Sequence, residues 1–276
     1  MTKIDTGTDD LLGRIDGHVA VLSFNRPERR NALSDPIYEG FARALPLIER
    51  DPSVRVLLVT GEGGAFCAGG DVKGMHESNT SASTGSPASS VEDRVAWLRS
   101  RQALVSLALR QLPMPVVAAL PGAAAGAGLS MALAADLRIA AERAVLVTAF
   151  ANVGASGDFG TSWFLPRLVG EAKAKELMFL SPRLTAAEAA ELGLLNRVLP
   201  DEGFDDAAVA FCQDLATRAP IALRYMKENV DRALGSTLSD ALDAEASAMV
   251  RTMGTADHRE AAAAFVEKRP PEFAGN

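Results

Sequence analysis

The chain has two cysteines, Cys67 and Cys212, and three histidines, His18, His76 and His258. Two cysteines cannot make a disulfide framework, and they fit a reducing compartment. So few histidines leave no His/Cys/carboxylate cluster with metal-ligand spacing, and they argue against a Ser-His-Asp triad. No apolar run reaches a membrane span; the longest, around Pro113 to Leu137, is broken by Pro115, Pro121 and several glycines. The opening MTKIDTGTDD is polar and acidic and does not read as a signal peptide. A cytoplasmic protein that is not a membrane protein is therefore expected. Positive charge is also short: 28 Lys and Arg stand against 35 Asp and Glu, for a net charge of −7. That balance argues against nucleic acid as a general partner. It still allows a small polyanionic ligand on a local basic patch. No G-x-x-x-x-G-K-[ST] occurs, and Gly122, Gly126 and Gly128 do not make G-x-G-x-x-G. Gly154-Ala-Ser-Gly-Asp158 has an acid where a nucleophile elbow needs its last glycine.

What is present is ample apolar material, 48% of 276 residues, enough for one large domain or one domain with a small appendage. The start reads as a β-hairpin turned at Asp16-Gly17, followed by a polar loop, Asn25 to Ala32. Ser34 or Asp35 can cap a helix with Pro36 in its first turn, stopped by Asp51-Pro52. Residues 78–90 are rich in Ser, Thr, Gly and Pro and read as a mobile surface loop. Helix Val91 to Gln111 follows, then strand Val116 to Leu120 and a helix from Leu129 to about Ala135. Thr185 with Glu188 three residues on makes a capping box. Strands and helices alternate to about residue 200, and from Phe204 everything reads as amphipathic helix. The pattern predicts an α/β core over residues 1–200, built as a coil of repeated strand-turn-helix units, and a helical region over 201–276.

Two of those units stand out. VRVLLVTGEGGAFCAGGDVKGM (Val54 to Met75) and PVVAALPGAAAGAGLSMALAADLRIA (Pro115 to Ala140) each run from β-branched residues into a Gly/Ala-rich turn. Such turns expose backbone N–H groups, and a helix N-terminus beside them favours negative charge. Two turns could aim two donors at one developing oxyanion, as acyl chemistry needs.

FCAGGDVKGM and PVVAALPGAAAGAG resemble the two signatures of the crotonase, or enoyl-CoA hydratase/isomerase, family. RPERRNAL, DLRIA, PRLVG, LTAAEAAELGLLNRV and AFVEKRPPEF agree with it in family order along nearly the whole chain. The resemblance implies a crotonase-like spiral of ββα units with a C-terminal helical trimerisation region. It implies an acyl-CoA thioester as partner, with coenzyme A arriving as part of the substrate and no separate cofactor. The oxyanion donors would be the N–H groups of Ala68 and Ala127; the second position is usually Gly. Arg26, Arg29 and Lys73 would line the CoA phosphates and adenine, and Lys268 and Arg269 would reach the nucleotide end, often from a neighbouring subunit. Gly69, Asp71, Val72, Gly126 and Phe150 would complete the binding surface. A homotrimer or dimer of trimers is implied.

The departures bear on the reaction. Family hydratases use two glutamates; this chain has Ser130 at the first position and Phe150 at the second. Neither is a general base near neutral pH. Asp158 stands where isomerase-type members, such as epoxyphenylacetyl-CoA isomerases, carry a catalytic carboxylate, and Phe150, Phe159 and Trp163 are expected to bury it. One carboxylate suffices to move a proton between two carbons of an enolate. The expected reaction is a double-bond shift or acyl rearrangement with Asp158 as acid/base, and Ser130 is kept as a lesser catalytic candidate. A hydratase with a displaced acid is one alternative. A binding protein, in which Asp158 only caps the helix near Thr161, is the other.

Overall fold

The computed structural model describes residues 1–71 and 90–276. Residues 72–89 lie outside that description. With them lie the expectations for Val72, Lys73, His76 and all but the last residue of the Ser/Thr-rich stretch. Two sheets organise the rest. The larger has seven strands in the order β1-β2-β3-β4-β5-β7-β10: Thr2–Lys3, Leu11–Asp16, Val19–Phe24, Val56–Gly61, Val116–Leu120, Leu137–Ala141 and Arg197–Leu199. β2 and β3 form the expected hairpin, and from β3 onward all neighbours are parallel. The smaller sheet joins β6 (Ala124–Ala125), β8 (Val145–Val147) and β9 (Leu184–Thr185).

Strand alternation sorts side chains onto two faces. Val19, Val21, Val56, Leu58, Val117 and Ile139 pack against Phe204, Ala208 and Cys212 of one helix, Phe204–Ala216. Leu22, Phe24, Leu57, Val59, Val116, Ala118 and Leu120 face the larger core. Helix α1 (Asp35–Arg50) covers that core with Ile37, Tyr38, Phe41, Ala44, Leu45 and Ile48, the spacing of one helical face. Parallel strands covered on both faces explain why these segments read as continuous apolar runs.

Two local expectations change. Ser34 begins α1 but donates its hydroxyl to Asp10 Oδ2 at 2.6 Å instead of capping. The helix after the second turn starts at Ala127, two residues early, because Ala and Gly leave the turn nothing to clear. Helix α2 (Val91–Gln102) opens on a capping box at Ser90 and passes through a π-turn, Ala103–Leu107, into α3 (Ala108–Gln111). The chain after β10 is helical, in four helices ending with Ala256–Glu267. No helix among the described residues is long and apolar enough to cross a membrane.

Candidate active site

Strands β4 and β5 are neighbours, so the turns that follow them emerge side by side. Backbone bonds zip the turns together: Phe66 and Cys67 both donate to the Ala123 carbonyl, at 3.0 and 3.2 Å, and Ala125 donates to Cys67 at 3.0 Å. Only small residues permit this approach. A Cβ on Gly128 would stand 2.3 Å from the Cys67 carbonyl oxygen. A Cβ on Gly69 would stand 3.2 Å from the Ala127 nitrogen, which measures how closely the turns meet. Asn31 braces the first turn from below. It is fully buried, donates to Glu62 and Ala65 carbonyls at 2.9 and 2.8 Å, and accepts from Arg26 N–H at 2.8 Å.

The two expected donors differ. Ala127 is the first residue of helix α4 (Ala127–Ala134), where an N–H has no intrahelical partner. Among the described residues nothing accepts from it. The Ala68 N–H instead donates to the Arg30 carbonyl at 3.0 Å. Arg30 and Asn31 both have left-handed backbones, φ 50° and 58°, which turn that carbonyl inward. Gly126, just before α4, donates to Val147 at 3.0 Å and ties the second turn to the smaller sheet.

Asp158 sits half-buried before α5 (Thr161–Val169). Its carbonyl, not its carboxylate, accepts from Thr161 N–H and Oγ1, at 3.1 and 2.9 Å. The carboxylate does not cap that helix. Its Oδ1 accepts from Gln102 Nε2 at 2.5 Å and from Phe159 N–H at 2.6 Å. Phe159 is buried and stacks on Tyr38, with centroids 6.0 Å apart and an interplanar angle of 7°. Burial pushes the Tyr38 phenol up, and the charge of Asp158 adds to it. The phenol therefore feels the carboxylate. Trp163, expected to help bury Asp158, is itself 42% exposed and carries the Arg167 guanidinium on its face, 3.8 Å from the centroid.

The hydratase positions are closed to base chemistry. Ser130 is fully buried, donates to the Gly126 carbonyl at 3.0 Å, and shares a short hydrogen bond with Thr161. Phe150 is buried with its ring edge near Gly126. Arg26 is engaged locally: it bonds the Ala32 carbonyl at 2.7 Å and pairs with Asp10 at 3.4 Å and Asp71 at 3.9 Å. Arg29 is exposed at the end of a short 3-10 turn, Pro27–Arg29. Lys268 is exposed just past the last helix, while Arg269 is held by Glu260 and Glu267.

Residues 14–276 match the family described as Enoyl-CoA hydratase/isomerase. The chain belongs to that family. It is 38% identical over 96% of its length to the 1,2-epoxyphenylacetyl-CoA isomerase of Escherichia coli, of which it covers 98%. It is 35% identical to a probable enoyl-CoA hydratase of Rhodobacter capsulatus, covering 93% of this chain and 95% of the relative. Among solved structures, an enoyl-CoA hydratase from Polaromonas superposes with a TM-score of 0.87 at 35% identity, over 96% of this chain and 99% of that one. The fold is thus the crotonase fold, and family membership makes the chain an enzyme of acyl-CoA thioesters. Both reaction names occur among its relatives.

Gln102, Tyr38 and Thr161 were not legible as site residues. Gln102 lies 56 residues from Asp158, and nothing in the helical pattern distinguishes it from a solvated polar residue. Asn31 left a partial trace, since it falls inside the RPERRNAL segment.

Proposed function

We propose that the protein is an acyl-CoA isomerase that relocates a double bond, or rearranges the acyl group, through a thioester enolate. In this reading the thioester oxygen binds the Ala127 N–H and, once the Arg30 carbonyl gives way, the Ala68 N–H. Each such donor supports the developing oxyanion by about 2.7–4 kcal/mol. Asp158 takes the proton: a C–H bond next to the thioester breaks, its electron pair enters the enolate, and the proton rests on the carboxylate. It then returns to a carbon further along the acyl chain, and the double bond moves. One C–H bond breaks and one forms, so the balance closes without water, oxidant or added cofactor.

The observation that supports this reading best is the contrast among three positions. Ser130 is locked in a buried hydrogen-bond chain and Phe150 has no ionisable group, while Asp158 keeps Oδ2 without a donor among the described residues. The hydratase alternative is favoured by the similarity to the Rhodobacter relative, a probable enoyl-CoA hydratase.

The test compares wild type with Asp158→Asn on 3-enoyl-CoA and 2-enoyl-CoA, with thioester affinity measured alongside. Wild type is expected to shift the 3-enoyl double bond, and the variant to lose about 10²–10⁴-fold in kcat with affinity retained. Efficient hydration of 2-enoyl-CoA by wild type would assign the hydratase. Equal binding by both proteins, with turnover by neither, would leave only a binding protein.

A further inference from the structure

We propose that Gln102 is a positioning residue that locks the Asp158 carboxylate and reserves Oδ2 for the migrating proton. This inference rests on the reading of Asp158 as the proton carrier. A carboxylate oxygen has about two lone-pair sites. On Oδ1 both are taken, by Gln102 Nε2 at 2.5 Å and Phe159 N–H at 2.6 Å. The amide nitrogen must face the carboxylate, because the amide oxygen has no proton to give.

Both donors are themselves fixed. Phe159 has a left-handed backbone, φ 49°, unusual for a bulky residue, and its ring is clamped in the stack with Tyr38. Gln102 is the last residue of α2, where the helix enters the π-turn Ala103–Leu107. Such turns are frequent at functional sites, since one extra residue per turn re-aims the neighbouring side chains. Here the neighbour is the amide that reaches Asp158 across the gap to α5.

Other titratable groups are linked to the carboxylate through the Tyr38 phenol. From α1 come Tyr38, held protonated by burial, and Asp35, which pairs with Arg101 at 3.5 Å. From α2, Arg101 stands over the Tyr38 and Trp97 rings, 5.8 and 5.1 Å from the centroids. From the first turn comes the Cys67 thiol, pushed up to about 12 by burial. Tyr38 and Cys67 therefore stay neutral across the working range, and the Gln102 amide is the neutral side-chain donor on the carboxylate.

A donor to the ionised form favours that form. Replacing Gln102 by Met keeps the length and removes the donor; replacing it by Glu puts a like charge opposite Asp158. With 3-hexenoyl-CoA as substrate, Gln102→Met is expected to lower kcat about tenfold with KM nearly unchanged. The acid limb of its kcat profile should move to higher pH, because the ionised carboxylate loses a donor. Gln102→Glu should move the limb further in the same direction. Thioester affinity and the melting temperature serve as folding controls. If kcat falls in Gln102→Met while the limb stays in place, Gln102 only braces the helix and the proposal is overturned. If Asp158→Asn is fully active, the acid/base reading fails and takes this inference with it.

Discussion

Asn31 uses all of its side-chain hydrogen-bonding groups on backbone, joining the RPERRNAL loop to the first glycine turn. Asn31→Ala would strand the buried Ala65 carbonyl and the part-buried Glu62 carbonyl and Arg26 N–H, at a cost of about 2–4 kcal/mol. Urea unfolding should show a lower midpoint at unchanged slope; a change below about 0.5 kcal/mol would contradict the bracing role. The two cysteines carry a different expectation. Burial raises the thiols of Cys67 and Cys212 to about 12. The native protein therefore holds about a thousandfold less thiolate than free cysteine does near neutral pH. Iodoacetamide at pH 8 should label neither residue until the chain unfolds, as read by mass spectrometry; rapid labelling of the native protein would contradict their burial. The unfolded chain ionises near pH 9 while the native thiols resist to about 12, so stability is full below 9 and declines as pH rises between them. At this scale, the sequence singled out Asp158 as a candidate because it was the one acid left in a recognisable segment. It could not find Gln102, whose meaning comes from a contact between distant segments.

The two glycine turns are the elements on which the site depends. Their apolar lead-ins and small-residue tips were legible because parallel strands require continuous apolar runs and close backbone approach requires glycine. What sequence could not supply was the Arg30 carbonyl on the Ala68 N–H, which depends on two left-handed residues in a polar loop. Gly128 tests the pair of turns together. In Gly128→Ala the new Cβ would meet the Cys67 carbonyl at 2.3 Å, so the turns must part and the donors with them. The kcat/KM of the variant should fall by about 10²–10³-fold, the worth of one oxyanion donor. Activity within about threefold of wild type would mean that the donors do not act as a pair.

The molecule as a whole ends in helices with an unusually apolar exterior. Leu238, Leu242, Met249, Val250, Phe265 and Val266 are each more than half exposed. Lys227, 10% exposed, ties the helix Pro220–Ala233 to the core through Asp136 at 2.7 Å, so this region is anchored to the sheet while its outer face stays apolar. Patches of this kind mark interfaces, and we propose that they pair subunits in a trimer or a dimer of trimers. Light scattering should give a multiple of 29.0 kDa. Phe265→Glu, at a site 86% exposed in one chain, should reduce that mass; an unchanged oligomer would place the interface elsewhere.

The proposed reaction moves a proton and adds no water. Its most direct measurement is turnover of 3-enoyl-CoA in D₂O enriched in H₂¹⁸O, with the products read by mass spectrometry. The expected product is conjugated 2-enoyl-CoA of unchanged oxygen content, with deuterium acquired in step with carboxylate exchange. A 3-hydroxyacyl-CoA carrying ¹⁸O, formed as fast as the isomer, would contradict it.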